Sequence, residues 1–301
     1  MIVQRINKGE RRLSYGELIR KIRLEKGFSQ KEIYYDIVTK SYAIEFEKGN
    51  HDLSFKLLLK VLDRLMVDLE EFFFIFNYDN KQTKTNWEKF ELASNGNDLQ
   101  LLKQLYEEVA SSQKSSDRVF KAMVNMRYKV MVHFKETGTV DNSQAEISDI
   151  EIVVDYLETI QTWTLQEIQL YSNTMGFFKP EQQILFFDNA LKKIGMYRLY
   201  PPGETIYAKL LINSCGNFIA QGNFTYARKA VVQLQPLTLG LRSSVFKLYH
   251  SFFEQVILFC TEEKKASKAA IEQTLQLFDL LGFTYLRAQC FDFFTQIQAI
   301  Y

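Results

Sequence analysis

Apolar residues recur three and four positions apart along most of the chain, which is the period of an amphipathic α-helix. In the first 77 residues this period is interrupted often, so the helices predicted there are short. Gly27 and Gly49 end two of them, and Ser29 with Glu32 has the spacing of a capping box. The five helices are expected at about 14–26, after Ser29, at 40–48, after Ser54, and in LEEFFFIF, which closes the unit near Asn77.

A polar stretch, YDNKQTKTN, follows at 78–86, and we interpret it as a linker between a domain of residues 1–77 and a domain of residues 87–301. The helical period then continues to the end of the chain, and no alternating strand pattern of any length occurs. The predicted fold class is therefore all-α. Helices are expected at 86–95, 98–111, 115–136, 146–162, 164–176, 180–196, 204–221, 225–235, 243–261, 266–281 and 284–298.

One pair of these helices has the period of a tetratricopeptide hairpin. In LLINSCGNFIAQGNFTYARKAVVQL, Ala227 takes the small packing position of the second helix, and Gly222-Asn223 forms the turn. This register predicts a shared core of Leu211, Ser214, Cys215, Phe218, Val231 and Leu234. Such hairpins cannot bury their faces singly, so we expect a tetratricopeptide-like superhelix with a concave surface.

Composition agrees with an ordered helical protein. Of the 301 residues 47% are hydrophobic and 14% aromatic, which argues against disorder, and only four prolines interrupt the pattern. No apolar run approaches the roughly 18 residues of a membrane-spanning helix, and the first residues lack the apolar core of a signal peptide. The three cysteines are widely spaced without a CxxC pair, as expected of buried thiols in a cytoplasmic protein.

The charge is unevenly distributed, although the net charge is only +1. Residues 1–31 contain nine Lys or Arg against three Glu, a balance of +6 on about a tenth of the chain. Such a basic segment is a plausible electrostatic footprint for phosphates. A solvated helix face would have the same composition, so charge alone leaves both interpretations open.

Enzymatic chemistry is poorly supported. The three histidines, His51, His133 and His250, lie in unrelated contexts without metal-ligand spacing, and neither a phosphate-binding glycine loop nor a Gly-x-Ser-x-Gly motif occurs. His133 follows an apolar helix face, where a core or groove position is expected, with a protonation-sensitive contact as the alternative. We therefore predict a protein that is not an enzyme and that has no metal and no cofactor.

The order of elements in residues 14–75 resembles the helix-turn-helix of phage-repressor and XRE-type domains. The carrying features are a helix, Gly-Phe-Ser-Gln, a second helix, a turn, a third helix and Glu-Lys-Gly. The resemblance implies a structural ion pair between Arg23 and Glu47 and a DNA contact from Gln30. It places Lys40, Ser41, Tyr42 and Glu45 on the outward face of the recognition helix, with Ala43 and Phe46 inward.

The residue types on that face suit a helix in the major groove, where polar side chains near its N-terminal end meet base edges. Arg20, Lys21 and Lys31 suit phosphate contacts, which position a protein without specifying sequence. Two departures stand out, since Tyr34 occupies a commonly small position and the spacing from Gln30 to Glu47 is one residue short. An ordinary helical hairpin in a bundle is the alternative interpretation.

An XRE-type domain followed by tetratricopeptide-like helices resembles the Rgg/GadR/MutR regulators of Gram-positive bacteria. The strongest local resemblance is in KSYAIEFEKGNHDLSFKLLLKVLDRLMVDLEEFF. It implies a helical domain that binds a short hydrophobic signalling peptide and, as a homodimer, changes transcription from promoter DNA. Several members carry a cysteine in the DNA-binding domain that bridges the dimer. This chain has none before Cys215, so a disulfide-linked dimer is not expected.

The repeat register predicts which residues meet such a peptide. Asn213 lies where tetratricopeptide domains commonly place an amide against a peptide backbone, because an amide both donates and accepts hydrogen bonds. A satisfied polar contact between helices is an equal alternative. The concave face is predicted to present Lys209, Ile212, Asn213, Gly216, Ile219 and Ala220, and Tyr171, Arg198, Phe252 and Gln255 are further candidates from less certain registers.

Three functions are compatible with these patterns. The first is a transcription regulator controlled by an intercellular peptide signal, as in quorum sensing. The second is a DNA-binding regulator whose helical array only dimerises or docks a protein partner. The third is a helical-repeat adaptor, which the basic N-terminus and the polar face of the third helix disfavour. We expect the first, with a dimer contact in helices 266–298, where LFDLL and CFDFF supply apolar surface.

Overall fold

The computed structural model describes residues 12–80, 84–111, 117–240 and 243–301. The chain divides into two compact units with the boundary between Lys89 and Phe90. Every regular element in the described ranges is helical, which confirms the all-α prediction. The first unit contains α1 (Tyr15–Glu25), α2 (Gln30–Tyr34), α3 (Lys40–Glu47), α4 (Phe55–Leu65) and α5 (Leu69–Asp79).

The second unit is an array of helices joined by short turns. Its first helix starts just before the boundary between the units. The helices are α6 (Asn86–Asn95), α7 (Leu99–Ala110), α8 (Asp117–Thr137), α9 (Ile147–Thr159), α10 (Leu165–Thr174), α11 (Pro180–Leu191), α12 (Ile194–Tyr197), α13 (Pro201–Ala220), α14 (Phe224–Leu234), α15 (Ser244–Thr261), α16 (Lys264–Leu280) and α17 (Thr284–Ile300).

Local capping chemistry fixes where the first helices begin. The Ser14 hydroxyl accepts from the Glu17 amide at 3.2 Å, and the Glu17 carboxylate accepts from the Ser14 amide at 2.9 Å. Ser29 and Glu32 repeat the arrangement at the start of α2, as the sequence predicts. Each capping box satisfies two backbone donors that a helix N-terminus leaves unpaired.

The helices α1 and α3 touch at the backbone. A Cβ atom on Gly16 would lie only 1.7 Å from the Phe46 carbonyl oxygen, so the contact requires a glycine. Around it, one core gathers apolar side chains from all five helices, among them Leu18, Ile19, Ile33, Ala43, Phe46, Leu62 and Phe72. This close approach sets the angle at which α3 leaves the rest of the unit.

A buried ion pair joins the same two helices. Arg23 donates from Nε and Nη2 to the two oxygens of Glu47, at 2.7 and 2.8 Å, and both side chains are almost fully buried. Burial raises the pKa of the Glu47 carboxyl, but hydrogen bonds from Arg23 and then Gln30 outweigh that effect and hold the pKa below its usual value. The ion pair expected between these two positions is therefore present.

The turn between α2 and α3 accounts for the short spacing noted in the sequence. Helix α2 has only five residues, and Asp36 then takes a left-handed conformation with φ of 57°. Arg64 of α4 holds this turn, because its guanidinium donates to the carbonyls of Ile33 and Tyr35 and to the Asp36 carboxylate. A conformation that disfavours most side chains is thus supported by charge-assisted hydrogen bonds.

The tetratricopeptide register of α13 and α14 agrees with the burial pattern. Ala227 is fully buried, as are the six predicted core residues at positions 211, 214, 215, 218, 231 and 234. Gly222 has φ of 71° in the turn, and Asn223 caps α14. The hairpin therefore packs as the sequence predicts.

Two predicted boundaries differ from the structure. The expected helix 180–196 breaks at Lys192–Lys193 into α11 and the single turn α12. The expected linker 78–86 is shorter, because α5 continues to Asp79 and α6 begins at Asn86, while 81–83 lie outside the described residues. The domain limits 1–77 and 87–301 remain a prediction.

The last helix of the second unit returns to its first. The Tyr285 hydroxyl of α17 donates to the Asn95 carbonyl of α6 at 2.7 Å, across 190 residues of sequence. Lys209 of α13 also reaches α6, where its ammonium lies 2.8 Å from the Glu91 carboxylate. The array therefore curves so that α13 and α17 both contact its first helix.

We predict that Glu47→Ala lowers the free energy of unfolding of the first unit by about 3–5 kcal/mol, because it leaves the Arg23 guanidinium buried without its partner. Hydrogen exchange of the α1 and α3 amides measures the loss, with Glu25→Ala as an exposed control. Since the folded pKa of Glu47 is lowered, its contribution is present above pH 4.5 and lost as the pH falls through that lowered value. Exchange that Glu47→Ala leaves unchanged contradicts the prediction.

Candidate functional site

The N-terminal end of α3 presents an exposed polar surface. Thr39 caps the helix, its hydroxyl accepting from the Tyr42 amide at 3.3 Å, and it lies 3.3 Å from the Ser41 hydroxyl. Lys40 is exposed, and in the described part of the chain its ammonium has no partner. The N-terminus of a helix carries a partial positive charge, so it repels the Lys40 ammonium and attracts anions. This end of α3 is therefore suited to pair with an external anion.

Two other residues predicted on this face are held by their own unit. The Tyr42 hydroxyl donates to the Asp52 carbonyl at 2.8 Å, and its ring stacks on His51 with centroids 5.2 Å apart. Glu45 accepts from Lys48 and Asn50, each at 2.7 Å, and these bonds lower the pKa of its carboxyl. The Tyr42 hydroxyl is therefore already bonded, and the charge of Glu45 is offset by Lys48.

The remaining candidates for DNA contact differ in whether their side chains already have a partner within the protein. Gln30 is half-buried and donates to the Glu47 carboxylate at 2.7 Å, so it joins the buried ion pair. Lys21 pairs with Asp79 at 2.8 Å and ties α1 to α5. Arg20 and Lys31 are exposed, and no contact within the described residues holds either charge. Among the described candidates, Arg20 and Lys31 therefore keep an unpaired charge, whereas Lys21 is in an ion pair.

A groove of about 430 Å³ lies between the inner helices of the second unit. Its walls come from α10, α13, α15 and α17 and from the turn after α10. Among the described residues that line it, none carries a formal charge. They are Ser172, Met175, Gly176, Ile212, Asn213, Gly216, Asn217, Tyr249, Phe252, Phe253, Gln289, Cys290 and Phe293.

Four of the predicted peptide-contact residues meet in this groove: Ile212, Asn213, Gly216 and Phe252. A Cβ atom on Gly216 would stand 3.8 Å from the ring of Phe253 and 3.9 Å from that of Phe293. The missing side chain therefore keeps open the space between α13 and two aromatic walls. Glycine within a helix costs stability, so its presence here is consistent with a requirement for space.

Asn213 makes the interhelical contact that was its alternative interpretation. Its Nδ2 lies 3.2 Å from both the carbonyl and the hydroxyl oxygen of Ser172 on α10. Within the described residues its Oδ1 accepts no hydrogen bond, so that atom remains available at the groove surface. The residue can hold two helices together and still accept one hydrogen bond from a ligand.

The other predicted groove residues lie elsewhere, and these placements correct the expectation. Tyr171 is fully buried, and its hydroxyl donates to the Gln183 carbonyl at 2.8 Å, because its face of α10 packs toward α11. Lys209 pairs with Glu91, and Ile219 is fully buried. Arg198, exposed after α12, and Gln255, half-buried on α15, also lie outside the groove lining.

Several groove residues escaped the sequence analysis. Asn217 is one helical turn beyond Asn213, so the same register could have found it. Tyr249, Gln289 and Phe293 come from helices in which no repeat period fixes the register. Burial raises the pKa of the Cys290 thiol to about 12, so this groove residue is a neutral, apolar contact at neutral pH.

Metal sites and membrane-spanning helices also bear on function. In the described ranges, no group of three or more His, Cys, Asp or Glu residues is arranged to hold a metal ion. Of the helices described, none combines the length and the apolar character needed to cross a membrane. The candidate sites are therefore the α3 surface and the groove.

Comparison with known proteins identifies a family for the second unit. Residues 101–291 match a family described as the C-terminal domain of the HTH-type transcriptional regulator Rgg. A structure from Listeria monocytogenes EGD-e, described as a transcriptional regulator, has a TM-score of 0.85 at 29% identity, covering 95% of this chain and 98% of that one.

Two structures with lower identity share the fold. The SHP pheromone receptor Rgg2 of Streptococcus dysgalactiae gives a TM-score of 0.73 at 18% identity, over 94% of this chain and 99% of that one. PrgX in complex with cCF10 gives 0.70 at 17%, over 95% and 92% of the two chains. At this identity the likeness shows a common helical architecture.

Proposed function

The chain belongs to the Rgg family of HTH-type transcriptional regulators, so it is a transcription regulator and not an enzyme, and we propose that a short apolar peptide in the groove of the second unit controls its binding to promoter DNA. The observation that carries the proposal is the uncharged, aromatic-walled groove on the inner side of the helical array. We place the protein in the cytoplasm, where both ligands are accessible.

The groove has the dimensions and chemistry of a small-ligand site. Its volume of about 430 Å³ falls within the range of roughly 300–1,000 Å³ typical of such sites. Phe252, Phe253 and Phe293 supply apolar walls, and the free Oδ1 of Asn213 supplies a backbone contact. Rgg2 and PrgX are described as a pheromone receptor and as a complex with cCF10, which supports a peptide as the ligand.

DNA binding is proposed for the α3 surface. Lys40 and Ser41 stand at the exposed start of the helix, and Arg20 and Lys31 add unpaired positive charge from α1 and α2. The capped turn held by Arg64 keeps α3 in one orientation. A preoriented helix with polar residues at its N-terminal end is what major-groove recognition requires.

A homodimer is proposed through the last two helices. Exposed apolar side chains on and between these helices include Leu277, Leu280, Leu281, Phe291 and Ile300. A self-complementary surface of this kind suits the symmetric association common among regulators that read two half-sites. A ligand that binds one dimer arrangement more tightly than another then shifts the population of recognition-helix spacings.

One observation favours the second candidate function, in which the array only dimerises or docks a protein. The amide of Asn213 is already bonded to Ser172, so a purely structural role accounts for its presence. The two functions differ in whether the groove accepts a small ligand, and the groove variants below decide between them.

For the α3 surface, Lys40→Ala should weaken specific DNA binding by about 1–3 kcal/mol, while Tyr42→Phe leaves it nearly unchanged because the hydroxyl serves Asp52. Fluorescence anisotropy on DNA selected by the full chain from a random pool measures both. Lys192→Ala, at an exposed lysine outside the proposed dimer helices, is the charge-matched control from the second unit. Equal affinities for Lys40→Ala and the wild type remove the recognition-helix assignment.

For the groove, Gly216→Phe should abolish peptide binding because its ring occupies the space between α13 and Phe293, whereas Gly216→Ala fits at 3.8 Å and retains binding. The full chain is exposed to a library of uncharged heptapeptides of Ile, Leu, Val, Phe and Gly, and selected peptides are titrated calorimetrically. A library without any binder to the wild type favours the second candidate function.

For the dimer, Leu280→Asp should reduce the oligomer to a monomer, since it places a charge on the exposed surface of α16, where Leu280 is 81% exposed. Light scattering after size exclusion gives the mass. Leu199→Asp, at a leucine that is 82% exposed outside these helices, is the matched control. Two separate variants test the placement: Leu280→Asp, and a chain that ends at about residue 265. If both remain dimeric, this placement is refuted.

A further inference from the structure

A second cavity, of about 250 Å³, lies beside the groove and has different chemistry. It is formed by the end of α6, by one face of α8 and by the first half of α17. Its lining includes Ser94, Asn97, Arg127, Tyr285 and Gln289, with Val130, Met131 and Phe134 as apolar neighbours. Gln289 lines both this cavity and the groove, so the two spaces adjoin.

Arg127 is a half-buried cation, and none of the described residues forms an ion pair with it. Of its five N–H donors, one hydrogen bond is made in the described part of the chain, from Nη2 to the Ser94 carbonyl at 3.1 Å. Burial lowers the pKa of the guanidinium, and the nearby Tyr285 opposes that effect. Buried charges in proteins are normally paired, because removing an ion from water costs several kcal/mol.

A second polar group of the cavity is also unpartnered. The Ser94 hydroxyl oxygen is buried, and among the described residues it has no hydrogen-bond partner. Tyr285, in contrast, is satisfied, since its hydroxyl donates to the Asn95 carbonyl and accepts from Gln289 Nε2 at 3.0 Å. The cavity lining therefore includes a guanidinium and a hydroxyl whose donors lack partners among the described residues.

We propose that Arg127 and Ser94 form a carboxylate-binding subsite that continues the groove. A guanidinium receives a carboxylate through two parallel N–H···O bonds, and a hydroxyl donor can add a third. With the peptide of the proposed function in the groove, the carboxylate is its C-terminus or an acidic side chain near one end. This assignment rests on the proposed function only for the identity of the ligand.

A structural role for Arg127 is tested first, by stability. Arg127→Met removes the charge and keeps much of the side-chain volume, so the melting temperature Tm of the full chain should rise or stay level. Lys129→Met, on the same helix and paired with Glu146 across 3.3 Å at the surface, is the control. A marked fall in Tm specific to Arg127→Met identifies a structural arginine and overturns the proposal.

The ligand class is tested with small carboxylates on the full chain. N-acetyl-L-leucine should raise the wild-type Tm by about 2–4 °C at saturating concentration, relative to sodium chloride of equal ionic strength. N-acetyl-L-leucinamide, which lacks the carboxylate, should not, and neither compound should shift Arg127→Met. Ser94→Ala should reduce the shift without abolishing it.

The source of the carboxylate is resolved by a third probe, N-acetyl-L-aspartic acid α-amide, whose carboxylate is on the side chain. A shift with the leucine acid assigns the subsite to a C-terminus, and a shift with the aspartate amide assigns it to an acidic side chain. If neither carboxylate shifts the wild-type Tm, the subsite is refuted. A heptapeptide library without a binder refutes only the groove function, so the two failures are distinguishable.

Discussion

The second unit depends on one packing requirement, which is that each helical hairpin must bury apolar surface on both of its broad sides. A single hairpin such as α13–α14 exposes too much of that surface to water, so hairpins stack and the stack curves. Here the curve brings α17 back to α6, where Tyr285 bonds to the Asn95 carbonyl. The groove and its neighbouring cavity exist because the stack returns on itself, leaving inner side chains to face one another across space.

In the first unit, buried contacts also position the surface that is proposed to meet DNA. Glu47 pairs with Arg23 in the core and also accepts from Gln30, the residue that opens the second helix. The close contact at Gly16 and the turn held by Arg64 fix the helix whose exposed end carries Lys40. The surface proposed to meet DNA is therefore positioned by buried electrostatics, and few of its own side chains are free.

Prediction from sequence succeeded where a local pattern determines the structure. The capping box of Ser29 and Glu32, the five-helix unit and the core of α13–α14 follow from spacing within a few residues. It failed for Tyr171, because its helix carries no repeat period and apolar periodicity alone does not say which neighbour a face packs against. No role was predicted for Arg127, because its surroundings depend on Ser94 and Tyr285. Helices α6 and α17 bring these residues to it from 33 and 158 positions away in the sequence.

Gln289 lines both the groove and the second cavity, and this has a consequence for ligand selectivity. An apolar stretch held between the aromatic rings and a negative charge held at Arg127 would be separated by a distance that the backbone of α17 fixes. A chain with too few residues could not reach both points, and one with too many would have to buckle between uncharged walls. The inner surface would then discriminate by length, acting as a ruler as well as a chemical filter.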